Sequence, residues 1–270
     1  MISSDVLELL WCAACADGGL ELASGMPREL VCEACGERYP FVDGIPDLVP
    51  RSASEKYRYY RTDTLRNLIA PLFDVAAPIM SMALWRCPPL RYVDAHHRAV
   101  GRSDGGVYVE CPVGTGLLLG HVRAEHLAGP FLCIDSSWSM LRHAERRFRA
   151  AGMMDRVTLL RADPEHLPLK AGIARSFQTV NGLHGFHDRT GVLGEFNRVL
   201  EPGGHFAGST LVRGGGPLAD VILHWYEQYG VVQPLRSREY VIQELDEVLG
   251  YPFLHETYGS ALFFSGTKSG

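Results

Sequence analysis

Lysine is almost missing from this chain. Lys56, Lys170 and Lys268 are the only three in 270 residues, so arginine carries nearly all the positive charge, a usage associated with GC-rich coding. Long hydrophobic runs are missing too: none approaches the ~20 residues needed to cross a bilayer. The opening MISSDVLELL has neither the basic stretch nor the cleavage site of a secretory leader. These absences predict a cytoplasmic protein with no membrane partner. Internal repeats and low-complexity tracts are absent, which argues against a solenoid or a disordered array. Nor is there a basic excess. The formal net charge is −5, and residues 1–50 alone hold nine acidic residues against Arg28 and Arg38, a net of minus seven. Such a segment repels phosphate backbones, so nucleic acid is a disfavoured partner.

Cysteine is present in an odd number, seven, which does not suit a disulfide framework. Four of them form two Cys-x-x-Cys pairs, Cys12 with Cys15 and Cys32 with Cys35, with sixteen residues between the pairs. Each pair folds into a tight turn that aims both sulfurs inward, and two such turns can surround a tetrahedral ion, for which zinc is the expected choice. Cys87, Cys111 and Cys133 are expected to be packed residues. The length suits one large domain and one small one. We expect a zinc-binding module at 1–50, a helical linker or lid at 51–103 interrupted by Pro71, Pro78, Pro88 and Pro89, and a catalytic domain at 104–270 with a lid insertion at 211–250. Tyr57, Tyr59 and Tyr60, among Lys56, Arg58 and Arg61, could line an aromatic pocket or simply pack under a solvated helical face.

From residue 107 short apolar runs alternate with helical patterns, the signature of an α/β domain with a parallel sheet. Strands are expected at 107–111, 131–135, 157–161, 176–181 and 204–210, helices at 217–229 and after Ser237, and a closing hairpin around Phe253 and Ala261–Phe264. The first strand runs into ECPVGTG, Glu110 to Gly116, and then into LLLGHV, expected to open a helix. Glycines at a strand-to-helix turn let a backbone come close to a ligand. Nineteen residues past Gly116 the second strand ends on Asp135, placed to accept from a ribose diol. The third leads to Asp163 and the fourth to NGLHGFHD.

This order of motifs, completed by EFNRVLEPGGHF, resembles the class I S-adenosylmethionine-dependent methyltransferases over roughly 105–267. The resemblance implies a Rossmann-like, seven-stranded, mostly parallel sheet with helices on both faces. It places Glu110 near the methionine moiety, Gly114 and Gly116 against the cofactor, Asp135 on the ribose and Asp163 on the adenine amino group. Pro112, Ser136, Pro164 and Asn181 complete the expected cofactor set. Pro164 departs from the pattern, because the family commonly uses a backbone N–H there and proline has none. LWCAACADGGLEL and LVCEACGERYPFVDGIPDL resemble the Trm112-like zinc-binding module, a small zinc-ribbon-like domain.

Methyl transfer to a hydroxyl acceptor needs a base, and His184 and His187 follow the fourth strand, where the methyl is expected to point. A packed loop histidine is the alternative for each. No Asn-Pro-Pro-Tyr segment follows that strand, which argues against exocyclic amino groups as acceptors. The leading expectation is methylation of a small-molecule acceptor, a specialised metabolite, at oxygen or carbon, with Trp225 and Tyr226 as pocket walls. An rRNA or tRNA base methyltransferase, and a non-methylating cyclase or binding protein on the same fold, are the alternatives; a homodimer is left open. The zinc module is expected to support a lid or a partner surface, so that chelation loosens the amino terminus before cofactor binding suffers.

Overall fold

The computed structural model describes residues 2–23, 28–51, 64–122, 127–230 and 232–270, with the side chains of 64–73 left aside. Tyr57, Tyr59 and Tyr60 and their basic neighbours lie outside the described residues. A small antiparallel sheet comes first: helix α1 (Ser4–Leu9), then strands β1 (Leu20–Leu22), β2 (Glu29–Cys32), β3 (Arg38–Val42) and β4 (Ile45–Pro46), paired in that order. Helices α2 (Thr64–Ala83) and α3 (Pro89–Gly101) follow. The main domain then runs β5 (Val107–Glu110), β6 (Phe131–Asp135), α4 (Trp138–Ala150), β7 (Val157–Arg161), β8 (Ala174–Val180), α5 (Arg189–Val199), β9 (Leu200–Leu211), α6 (Pro217–Gln228), α7 (Arg238–Leu249), β10 (Phe253–Tyr258) and β11 (Ala261–Thr267).

The expected fold class is the observed one. Its seven strands lie in the order β10-β11-β9-β8-β5-β6-β7. From β7 to β9 every pairing is parallel; β11 pairs antiparallel with both β9 and β10. The order reverses between β5 and β8, and a ligand crevice opens at the carboxyl ends beside such a switch point. Strand β6, FLCID, is buried throughout because both faces are covered. Leu132 and Ile134 enter the apolar cluster with Val192, Leu193 and Phe196 of α5 and Val241 and Leu245 of α7. Phe131 and Cys133 point the other way, onto Ala99 and Val100 of α3 and Leu141, Ala144 and Phe148 of α4.

Local chemistry sets the helix ends. Ser137, Asp188 and Ser237 cap α4, α5 and α7 by accepting from Met140, Gly191 and Tyr240 N–H, and Gly250 (φ 70°) closes α7 in the left-handed region. Two expectations are corrected. Pro71 and Pro78 do not interrupt a helix, since α2 continues through both positions; each proline removes a single i→i−4 bond while its neighbours keep theirs. Pro89, by contrast, starts α3 at the position where a missing N–H costs nothing. No α-helix opens after the glycine loop among the described residues, only a 3₁₀ turn at Leu119–His121, where Gly120 lies against the Arg147 stem.

The amino-terminal module is not a separate bead. Val6, Leu10, Leu20, Leu30, Tyr39 and Leu48 share one apolar cluster with the main sheet. Leu10 bridges to Leu169, Trp11 Nε1 donates to Leu167 O (3.1 Å), and Leu48 N donates to Arg161 O (2.8 Å) on the edge strand β7. The module thus sits on the β7 edge and the segment after it.

Candidate functional site

At the switch point the glycine loop leaves β5 with Gly114 and Gly116 in the left-handed region, φ 57° and 68°. A Cβ on Gly116 would come within 2.6 Å of the Phe148 ring, so only glycine fits there. The buried Asp135 carboxylate clasps this loop: Oδ2 accepts from Gly114 N–H and Oδ1 from Ser137 N–H, both at 2.9 Å. Ser136 O in turn accepts from Arg161 Nε at 2.9 Å. Beyond β7, the buried Asp163 accepts from Glu165 N–H at 2.9 Å, across Pro164. Glu110 and Asp135 therefore end two adjacent parallel strands and Asp163 follows the third by two residues, with Pro112, Gly114, Gly116 and Ser136 in the loops after β5 and β6.

Pro112 has a packing role. Its ring presses on Gly182, where a Cβ would meet Pro112 Cδ at 2.4 Å, so the loops after β5 and β8 touch there. Between them stands Asn181, a non-glycine residue at φ 50°, held by its N–H to Ser209 O at 2.8 Å. Backbone in that region costs energy and clusters at functional sites.

Glu110 is buried beneath the loop with Tyr108 Oη 3.5 Å from Oε2 and His96 Nδ1 4.0 Å from Oε1. Burial pushes its carboxyl up to about 8. A carboxyl whose folded value is raised lends stability that is full below its ordinary range and is lost as pH rises through about 8. In the cofactor-free protein, Glu110→Gln is therefore expected to melt at the wild-type temperature near pH ~5 and a few degrees above it near pH ~8.5. Thermal melts across that range check this; a wild-type melting temperature that does not fall would refute it.

The two candidate histidines differ. His184 is half-buried; its Nδ1 accepts from Leu211 N–H at 3.2 Å and lies 3.2 Å from Thr210 Oγ1. Burial first, and Arg189 second, push its value down to about 4. The ring is neutral near pH 7, with its proton on Nε2. His187 is exposed, with Nε2 3.2 Å from Gln233 Nε2.

A further apolar cluster joins Trp85, Tyr92, Leu223, Val232, Leu235 and Phe263, with Met80, Ile222 and Tyr226 against it. Tyr226 packs edge-on to Trp85 and Tyr92 tilts over Phe263. Trp225, by contrast, faces outward at 60% exposure beside Tyr229. Helix α6 belongs to this side, whereas α7 packs in the main core.

The four module cysteines meet as their spacing predicts, their sulfurs all within 4.8 Å of one another. Cys12–Cys35 and Cys15–Cys32 are each 3.7 Å apart, against about 3.8 Å for the edge of a tetrahedron with zinc–sulfur bonds of ~2.3 Å. The two knuckles repeat one geometry: Ala16 N donates to Cys12 O and Gly36 N to Cys32 O, with both donors at positive φ. A Cβ on Gly18 would lie 2.4 Å from Cys32 Sγ. The donor set fits a zinc ion.

Two carboxylates escaped the sequence reading. Asp47 grips Arg161 through both oxygens at 2.8 Å, and Asp74 of α2 reaches Thr115 in the glycine loop. A side chain ending an apolar strand as an arginine, VTLLR, was the available signal for the first; its partner lies far off in sequence.

Residues 109–204 match the model of a methyltransferase domain family. Among curated proteins, the ubiquinone/menaquinone biosynthesis C-methyltransferase UbiE of Syntrophotalea carbinolica is 31% identical over 143 residues, covering 53% of this chain and 58% of that protein. The demethylmenaquinone methyltransferase of Lactiplantibacillus plantarum is 30% identical over 129 residues, covering 48% and 52%. The chain thus spans little more than half the length of these relatives. Among solved structures, an O-methyltransferase family protein from Burkholderia thailandensis superposes with a TM-score of 0.59 at 16% identity, covering 78% of this chain and 61% of that one. A chain of the complex between the Haloferax volcanii Trm112 methyltransferase activator and a methyltransferase gives 0.56 at 16%, covering 76% and 97%. The chain carries the class I S-adenosylmethionine-dependent methyltransferase fold.

Proposed function

We propose that this chain transfers a methyl group from S-adenosylmethionine to carbon in a small-molecule acceptor, a specialised metabolite. The Asp135 clasp on Gly114 and Ser137 carries the reading, because it ties the ribose-binding carboxylate to the loop that approaches the cofactor. The choice of carbon draws on the relatives named as C-methyltransferases. When bound, the cofactor supplies an electrophilic methyl on a sulfonium. The chain's own residues have a simpler task, which is to align an acceptor and keep water out. Asp135 would hold the ribose diol, Asp163 the adenine amino group, and Glu110 would lie by the methionine end. Trp85, Tyr92, Tyr226 and Phe263, which share one apolar cluster, would wall the acceptor side. The four cysteines would hold zinc as a structural ion. Residues 1–50, 51–103 and 104–270 would be the module, lid segment and catalytic domain, and a protein partner or second copy would be separable from this chemistry.

His184 would act as a donor. With Nδ1 occupied by Leu211 N–H, its Nε2–H is the group left to hold an acceptor oxygen. We expect kcat/KM to show no His184 titration from about pH 5.5 to about 8, His184→Gln to stay within about 10-fold of wild type, and His184→Ala to lose roughly 100-fold. A pH–rate inflection near ~6.5 that disappears in His184→Gln would instead make it the base. The overall reading is tested by calorimetry with S-adenosylmethionine and by transfer of labelled methyl to acceptors; no cofactor binding would end it.

A further inference from the structure

Helix α2 contains one acidic residue, Asp74, in the apolar stretch LFDVAAPIM, and its carboxylate is only a fifth exposed. It is turned onto the glycine loop. Oδ1 accepts from Thr115 Oγ1 at 2.6 Å, and Oδ2 accepts from Arg147 Nη2 of α4. Arg147 Nη1 also donates to Thr115 O at 3.1 Å. Thr115 is buried between the two left-handed glycines, so its hydroxyl has a fixed direction, and Gly120 packs closely on the Arg147 stem. One carboxylate from a different segment therefore completes the hydrogen bonding of the cofactor loop.

The other end of α2 belongs to the acceptor side. Met80 lies about 9 Å further along the axis, six residues at ~1.5 Å each, with Sδ 3.7 Å from Tyr226 Oη. Ser81 Oγ donates to Cys87 O at 2.6 Å, and Met80 and Leu84 pack on the acceptor-side cluster. The helix therefore meets the glycine loop at its middle and the apolar cluster at its carboxyl end.

We propose that Asp74 is a positioning residue, a latch that makes ordering of the cofactor loop and seating of α2 against the acceptor walls one coupled event. The proposal rests on the methyltransferase reading. Coupling of this kind is reciprocal: whatever holds the loop holds the helix, and breaking the latch weakens both. Asp74 touches neither acceptor nor cofactor in this account; it acts through Thr115.

The test measures S-adenosylmethionine binding by calorimetry, and hydrogen exchange of residues 74–83 with and without the cofactor, in the full chain. Wild type should bind and slow exchange in α2 on binding. Asp74→Asn and Arg147→Gln should each raise Kd about 10-fold and lose that slowing. The double variant should be no more than about two-fold weaker than either single one, because they share one interaction. Exchange in α7 should be unchanged. Asp74→Asn that binds within about two-fold and keeps α2 protection overturns the latch, and so does a variant in which every helix exchanges faster alike, which marks a merely structural ion pair. A wild type that binds no cofactor removes the methyltransferase reading and the latch with it.

Discussion

Asp135→Ala is expected to bind S-adenosylmethionine at least 100-fold more weakly than wild type. The carboxylate accepts from two backbone N–H groups at 2.9 Å, Gly114 and Ser137, and those bonds hold the loops after β5 and β6 together. Removing it leaves both donors without their acceptor and releases a loop whose two glycines have maximal freedom in the absence of restraint. Hydrogen bonds to a charged group contribute about 1.5–3 kcal/mol each, so if the released loop has to be re-ordered when the cofactor binds, two lost bonds allow a Kd increase of up to roughly two to four orders of magnitude. The ribose contacts assigned to Asp135 would be lost in addition, since a carboxylate can accept up to about four bonds. Asp135→Asn keeps one acceptor oxygen and should fall between, near 10-fold. Calorimetry on the three proteins decides it. Binding of Asp135→Ala within about five-fold of wild type would show that the clasp does not organise the site.

Much of this site was legible because its signals are local. A strand that ends on a carboxylate, a loop that needs positive φ, and a pair of thiols with two residues between them are each written within ten residues. So Glu110 and Asp135 end adjacent strands, Asp163 follows the next one, and the four cysteine sulfurs converge. What the sequence hid depends on partners distant along the chain. Arg161 ends an apolar strand and needs a carboxylate, but nothing local says that Asp47, 114 residues earlier, supplies it. Asp74 and Thr115 are 41 residues apart. Helix α2 crosses two prolines because the rest of its turns remain bonded, a balance that a proline count misses. The sequence placed both histidines after the fourth strand, but the tautomer of His184 depends on Leu211, whose N–H reaches it only after β9 has paired with β8.

Removing zinc from the proposed four-thiolate site is expected to weaken cofactor binding together with amino-terminal stability, and not after it. The sequence alone suggested a module that could loosen independently. In the structure Cys12 and Cys32 lie in the same apolar cluster as Leu132, Ile134 and Leu160 of the main sheet. Its exit segment ends in Asp47, whose carboxylate takes both 2.8 Å bonds from Arg161 Nη1, and Arg161 Nε holds the carbonyl of Ser136 beside Asp135. The Arg161 side chain is 7% exposed, so losing its partner strands a buried charge, at about 3–5 kcal/mol. Trp11 meanwhile donates to Leu167 O in the segment after Asp163, and its ring carries Arg198 at 4.4 Å. Loss of the ion is expected to release the two knuckles and, through these contacts, to loosen the segments that carry Asp135 and Asp163. Purified protein should therefore contain about one zinc per chain, and chelation should give a single cooperative melting transition at lower temperature with S-adenosylmethionine affinity down by roughly 10-fold or more. Asp47→Ala, with all four thiolates intact, should reproduce the loss of affinity while retaining the metal. If chelated protein, or Asp47→Ala, binds the cofactor as wild type does, the module is a passenger on the β7 edge rather than a brace for the cofactor loops.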